Sequence, residues 1–385
     1  MRRGVAMLLA VLLILSGCAV REGFSPTPPS PPPTQSGEQS GELTVSADWS
    51  KLEDGDKPPP SVGSRWYDDY TGQLILRDDY GKLIPYAGLR LMDDWPATTG
   101  CLYGLMTTDG VVVTDAVYSA VRSPCYYMGE KQGSHPLLAL YMMTQPDETY
   151  EYGRSLWAIA ASDGSWCTEF CYLGMRACED SLLLFEDDRI TYMSPTGEIM
   201  SIWTMAGLGL SQKEIDEIHS GLMWGEGYFG QWFGDYFCLG FTDDTNKEIS
   251  MIHLPTGQKE TMTQDAVWEI LTQEPDGNEP GTEDWKANLP PGDYYEFTYL
   301  WDIFSDDVAP ALISVSQREE GGAHDLFFLR DGTPLPQFTR RSELWYYNVR
   351  PVGGLIEVLD LNTASYYDIK TMDCVFRTYL GYDAD

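Results

Sequence analysis

The sequence predicts an all-β protein built from repeated hairpins. Three observations predict it. Aromatic residues make up 13% of the chain, with 24 Tyr and 12 Trp, and flat rings pack well across neighbouring strands. Apolar runs of strand length end repeatedly in turn-forming corners, most of them containing Gly. Residues 62–385 are long enough to bury a core, as one large β domain or two smaller ones.

The fullest copy of the hairpin phrase is LYGLMTTDGVVVTDAVYSAV at 102–121. Leu102 to Thr107 and Val111 to Val121 are apolar and β-branched, and Asp109-Gly110 between them suits the positive φ angles of a tight turn. Similar corners recur. Leu74-Ile75-Leu76 leads through Asp79-Tyr80-Gly81-Lys82 to Leu83-Ile84-Pro85-Tyr86. Trp157-Ala158-Ile159 leads to Asp163-Gly164, Ile190 to Met193 leads to Pro195-Thr196-Gly197, and Met251 to Leu254 leads to Pro255-Thr256-Gly257. Leu326 to Leu329 leads to Asp331-Gly332, and Leu355 to Leu361 leads to Asn362-Thr363. SPTGEI at 194–199 matches LPTGQK at 254–259, and TDAVYSAV at 114–121 echoes QDAVWEIL at 264–271. A degenerate repeat of β-hairpins accounts for all of this.

The phrase Tyr103-Gly104-Leu105-Met106, a turn at Asp109-Gly110, then Val112-Val113 and a closing Tyr118 resembles the WG-type repeat of bacterial surface proteins and lipoproteins. Residues 73–88 fit its second half, Tyr103 stands where that repeat leads with Trp, and 200–325 match poorly. The resemblance implies an all-β array and no catalytic residues. At ~46 residues per four-stranded unit, the body makes six to seven blades of a β-propeller. An open WG-type array is the alternative. Closure is preferred because it protects strand edges that otherwise invite aggregation.

The amino-terminal segment carries its own signals. Arg2 and Arg3 precede an apolar run from Val5 to Leu15, the length of a signal-peptide core. The run ends in Leu15-Ser16-Gly17-Cys18, which resembles the lipobox of bacterial lipoproteins. That resemblance implies cleavage before Cys18 and a lipid on its sulfur, with more than one acyl chain and hence stable anchoring. An ordinary secretory signal is the alternative reading. Residues 19–61 are rich in Pro, Ser and Gly and cannot bury enough surface to offset their ordering. The chain therefore reads as a signal peptide over 1–17, a lipidated Cys and tether over 18–61, and a β-repeat domain over 62–385. Its expected location is extracytoplasmic, anchored by lipid to a bacterial membrane.

The formal charge is −34, and near −36 once Arg2 and Arg3 are removed. Such a body is repelled by nucleic acid, which is excluded as a partner. Seven cysteines besides Cys18 leave at least one unpaired; Cys101 with Cys125, and Cys171 with Cys178 across Gly174, are possible disulfides. Cys167, Cys171 and Cys178 do not match zinc spacing, and His135, His219, His253 and His324 are scattered, so no metal or cofactor is expected. Asp pairs such as Asp187-Asp188 and Asp243-Asp244 lack calcium-loop spacing. No nucleophile elbow, zinc-protease or phosphate-loop motif occurs, so no catalytic residue is named.

Two helices interrupt the pattern. Ser211-x-x-Glu214 is a capping box, followed by Ile215, Ile218 and Leu222 on one face, and Thr263 opens a second candidate with Val267, Ile270 and Leu271. Between them GLMWGEGYFGQWFGDYF at 221–237 either fills a core or lines a ligand cleft, with Trp224, Tyr228 and Trp232 as its binding residues. The expected function is a non-catalytic binding or scaffold module for an envelope protein or glycan. The alternatives are a carbohydrate-active propeller enzyme and a structural accessory subunit of an envelope complex.

Overall fold

The structure, a computed structural model, describes residues 62–72, 74–91, 100–124, 126–127, 130–131, 137–150, 153–178, 181–224, 232–233, 235–243, 248–263, 265–266, 285–292, 294–305, 309–319, 322–341 and 347–383. Among the described residues, strands gather into six sheets of three or four strands and one short hairpin. The protein is all-β, and nearly every strand pairing is antiparallel.

The first sheet holds β1 (Leu83–Leu91) and β2 (Cys101–Thr107). Bridges Met106↔Val112 and Tyr103↔Tyr118 extend it outward from β2. The second holds β3 (Ala120–Arg122), then, after the small hairpin of β4 (Tyr126–Tyr127) and β5 (Glu130–Lys131), β6 (Leu137–Met143) and β7 (Ser155–Ala161). Bridges Ala160↔Cys167 and Trp157↔Tyr172 extend it in the same way. The third runs in order through β8 (Gly174–Cys178), β9 (Ser181–Phe185), β10 (Arg189–Met193) and β11 (Ile199–Thr204).

Helix α1 (Gln212–Trp224) leads to the fourth sheet: β12 (Trp232–Phe233), β13 (Tyr236–Asp243), β14 (Glu248–His253) and β15 (Gln258–Thr263). The fifth is β16 (Tyr294–Leu300), β17 (Leu312–Glu319), β18 (Gly322–Leu329) and β19 (Arg340–Arg341). The sixth is β20 (Asn348–Val352), β21 (Leu355–Leu359), β22 (Thr363–Asp368) and β23 (Cys374–Tyr379). The last strand, β24 (Gly381–Asp383), returns to the first sheet and pairs parallel with β1, Leu89 to Leu91 against Gly381 to Asp383.

Period-two alternation explains how the sheets stack. Every residue of β9 is buried. Leu182 and Leu184 enter the core shared with the second sheet, while Leu183 and Phe185 enter the core shared with the fourth. A strand buried on both faces reads as an unbroken apolar run, as Leu182 to Phe185 do here. In β6, Leu137 and Ala139 face the third sheet, while Leu138 and Leu140 face the first. Leu355 and Leu359 of β21 share a core with the first sheet, while Ile356 and Val358 share one with the fifth. The described cores thus join the sheets in the order five, six, one, two, three, four.

The predicted capping box forms. The Ser211 amide and hydroxyl both donate to Glu214 Oε2, at 2.7 and 2.8 Å. Ile218 is fully buried, and Ile215 and Leu222 pack beside it. At the second predicted helix, the Ala266 amide donates to Thr263 Oγ1 at 3.3 Å, as an N-cap requires. Val267, Ile270 and Leu271 lie outside the described residues.

Two expectations are corrected. Leu74 to Leu76 form no strand, and Ile75 and Leu76 are exposed, so the first corner is a lead-in to β1 and not a hairpin. Gly174 is not a turn: it opens β8, which runs extended to Cys178. Cys101 and Cys171 carry free thiols.

Candidate functional site

Of the stretch at 221–237, Phe237 is fully buried in the core shared by the third and fourth sheets. Trp224 ends α1 and Trp232 opens β12, but the side chains of both, and all of Tyr228, lie outside the described residues. Cys18, Cys125 and the side chain of Cys178 also lie outside them. Among the described residues no three His, Cys, Asp or Glu side chains gather as metal ligands would, and no helix is long and apolar enough to cross a membrane.

Chemistry-bearing side chains converge instead where the sixth sheet meets the first. Arg350 lies on β20, the strand that opens its sheet. Its Nε donates to Glu357 Oε1 at 2.5 Å and its Nη2 to Oε2 at 3.3 Å. Glu357 sits directly opposite on β21 and is wholly buried. Its Oε2 also accepts from the Tyr366 hydroxyl at 2.6 Å, and that hydroxyl accepts from the Ala87 amide of β1 at 2.8 Å. The Arg350 guanidinium stands 5.3 Å from the centre of the Tyr103 ring on β2, a cation–π contact. Beside them Arg90 of β1, buried, donates to the Asp360 carbonyl at 2.7 Å and is paired in register with Cys101.

Burial pushes the Cys101 thiol up to about 11, against the pull of Arg90 and Arg350. A protonated thiol is a poor nucleophile at neutral pH. Burial also raises the Tyr103 and Tyr366 phenols, and Glu357 raises Tyr366 further. Burial alone would lower Arg350, but Glu357 and Tyr103 outweigh it and hold the guanidinium charged. The carboxylate takes three hydrogen bonds from protein groups. Arg350 keeps 31% of its side chain exposed, and the Tyr103 ring is half-buried next to it. A fixed cation against an aromatic face can hold a polar or anionic group, and a guanidinium keeps its protons at neutral pH.

The sequence singles out none of Arg350, Glu357 and Tyr366 as a site, but a register signal for the cluster exists. Arg350 pairs with Glu357, which pairs with Tyr366. Arg176 pairs with Leu183, which pairs with Tyr192, at the same spacings of seven and nine residues. In the third sheet Arg176 bonds the Gly221 carbonyl in the last turn of α1 at 3.1 Å, where a cation complements the helix dipole. Only in the sixth sheet does a Glu replace the Leu and turn the same frame into an ion cluster.

The other described buried acids are ties as well. Asp302, after β16, accepts from the Gly353 and Gly354 amides at 2.7 and 2.6 Å and so joins the fifth sheet to the turn between β20 and β21. Asp325 accepts from Ser316 at 2.7 Å and from Arg340 Nε at 2.9 Å within the fifth sheet.

No protein-family model matches the chain, and no curated protein matches it. Among solved structures it is similar to apo AztD from Citrobacter koseri, at 10% identity and a TM-score of 0.19, over 64% of this chain and 57% of that one. It is similar to Hsv2 of Kluyvelomyces marxianus at 9% identity and 0.21, over 69% of each chain. The AfRom2 CNH domain gives 9% and 0.21, over 79% of this chain and 88% of that one. The chain thus spans just over half of the first of these, and likenesses of this size assign no function.

Proposed function

We propose that the chain is a lipid-anchored, extracytoplasmic binding or scaffold module without catalytic activity, its six sheets forming the blades of a closed β-propeller. The cores shared in the order five, six, one, two, three, four and the return of β24 to the first sheet favour a radial arrangement of the sheets. Lipid on Cys18 provides the anchor and residues 19–61 the tether. The ligand is an envelope protein or a glycan, and nucleic acid is excluded by charge.

One observation carries the binding reading. In the cluster between the sixth and first sheets, the acid and the thiol are closed off, and the group left open is Arg350 beside Tyr103. Such a pair suits a carboxylate-bearing or hydroxyl-rich ligand.

The test uses the full chain expressed in a bacterium. Wild type should partition with membranes and carry a lipid-modified amino-terminal Cys18, and Cys18→Ala should release it. The purified protein should bind uronate-bearing glycans on an array without turning them over. Arg350→Lys, which keeps a cation for Glu357, should weaken that binding about tenfold by losing the planar fork. Membrane retention and unchanged mass in Cys18→Ala would remove the anchor. Turnover abolished by changing one Asp or Glu would replace the binding reading with the enzyme.

A further inference from the structure

The protein uses one edge of the Arg350 fork and leaves the other. Nε and Nη2 lie along one edge of the planar guanidinium, and Glu357 takes both, at 2.5 and 3.3 Å. The opposite edge, Nη1 with the second N–H of Nη2, makes no hydrogen bond to the described residues. The Tyr103 hydroxyl makes none to them either, and its ring centre lies 5.3 Å from the guanidinium. Arg350 keeps 31% of its side chain exposed beside that ring. Glu357 is wholly buried and accepts from Arg350 and Tyr366, so the open groups here are N–H and O–H.

We propose, resting on the binding site assigned to Arg350 and Tyr103, that this site takes one carboxylate flanked by a hydroxyl, as on a single uronate in an otherwise neutral glycan, and rejects polyanions. The open edge presents two parallel N–H groups, the geometry that a carboxylate accepts bidentately. The Tyr103 hydroxyl can donate or accept, and a sugar hydroxyl beside the carboxylate answers it in either sense. A peptide's terminal carboxylate is flanked instead by an N–H, which answers it in one sense only. Charge sets the limit of one carboxylate. The ligand gains one fork, whose other edge Glu357 already holds, while the whole chain carries −34. Every further negative charge on the ligand meets that field without a second open fork to repay it.

Isothermal titration calorimetry on the full chain carrying Cys18→Ala reads the specificity. The probes are methyl glucuronoside, its methyl ester, a deoxy analogue lacking the hydroxyl next to the carboxylate, and an oligouronate. The ester keeps ring and hydroxyls but loses the charge, and should bind about tenfold more weakly. The oligouronate should bind no better than the single sugar at about 0.01 M salt, and should gain as the Debye length falls from ~30 Å to ~10 Å at about 0.1 M. Tyr103→Phe, with an unchanged melting temperature, should weaken the glucuronoside several-fold and leave the deoxy analogue unaffected, so that the two losses do not add. A short peptide with a free carboxyl end should not displace the glucuronoside. Absence of glucuronoside binding would remove the site and this inference together. An ester as tight as the acid, an oligouronate tightest at low salt, additive losses at Tyr103, or displacement by the peptide would overturn the inference alone and leave Arg350 as a binding group.

Discussion

Glu214 holds three elements with one carboxylate. Oε2 takes the Ser211 cap of α1, while Oε1 takes the Ser250 hydroxyl of β14 and Lys259 Nζ of β15, the latter at 2.6 Å. Burial alone would raise this carboxyl, but the hydrogen bonds from Lys259, Ser250 and Ser211 outweigh it and hold it down to about 2. A depressed carboxyl contributes stability above its unfolded value of 4.5 and loses it as pH falls toward 2. The contribution is about 3 kcal/mol at neutral pH. Urea unfolding from pH 7 down to 2.5 should show the parent losing stability below pH 5. Glu214→Gln should start lower by a similar amount and change less over that window; parallel pH profiles would sink the assignment. The cap was legible in the sequence because it spans three residues. The bonds to Ser250 and Lys259 were not, because they depend on how α1 docks on a sheet formed 36 or more residues later. Gly104 is the same lesson in reverse. Its place in the repeated phrase was plain, but its reason is Tyr86, whose ring lies 2.4 Å from where a Cβ would stand and whose hydroxyl reaches the Thr114 carbonyl at 2.6 Å.

The repeated element is one turn, used in one place. Gly110, Gly164, Gly197, Gly257 and Gly332, all at positive φ, fall between the third and fourth strands of the first five sheets. In the sixth sheet the same turn holds Met372 at φ 60, with its amide on the Asp368 carbonyl at 2.8 Å and its side chain packed on the core shared by the fifth and sixth sheets. That packing offsets the ~1–2 kcal/mol a left-handed L-residue costs. These corners were legible because local chain sterics demand Gly. The corner at 79–82 misled because a turn signal says nothing about whether the run before it finds a strand to pair with. The substitution Gly110→Ala combines strain with a collision, since a Cβ there would stand 2.7 Å from the Val375 carbonyl. It should cost about 2–4 kcal/mol. Gly209→Ala, at φ 69 with open space around it, should cost only about 1 kcal/mol. Thermal melts that rank the two variants in the opposite order would refute this account of the turns.

At the scale of the molecule, strand content and hairpin order were readable, because periodicity and turn chemistry are local. The count of sheets was readable only to within one. What no local pattern carries is the pairing of β24 with β1, set by residues at opposite ends of the domain. Removing Gly381 to Asp385 leaves the Leu89–Leu91 edge bare and should lower stability by roughly 2–4 kcal/mol, a few net hydrogen bonds and their packing. Calorimetry should register a lower melting temperature and a greater tendency to aggregate; an unchanged melt would mean the closing strand holds nothing. The same pairing has a cost in time. A chain emerging from the ribosome makes β1 early and its neighbour about 290 residues later. At ~5–20 residues per second, that edge waits roughly 15–60 s for its strand. Throughout that interval the edge is open to pairing with the wrong strand.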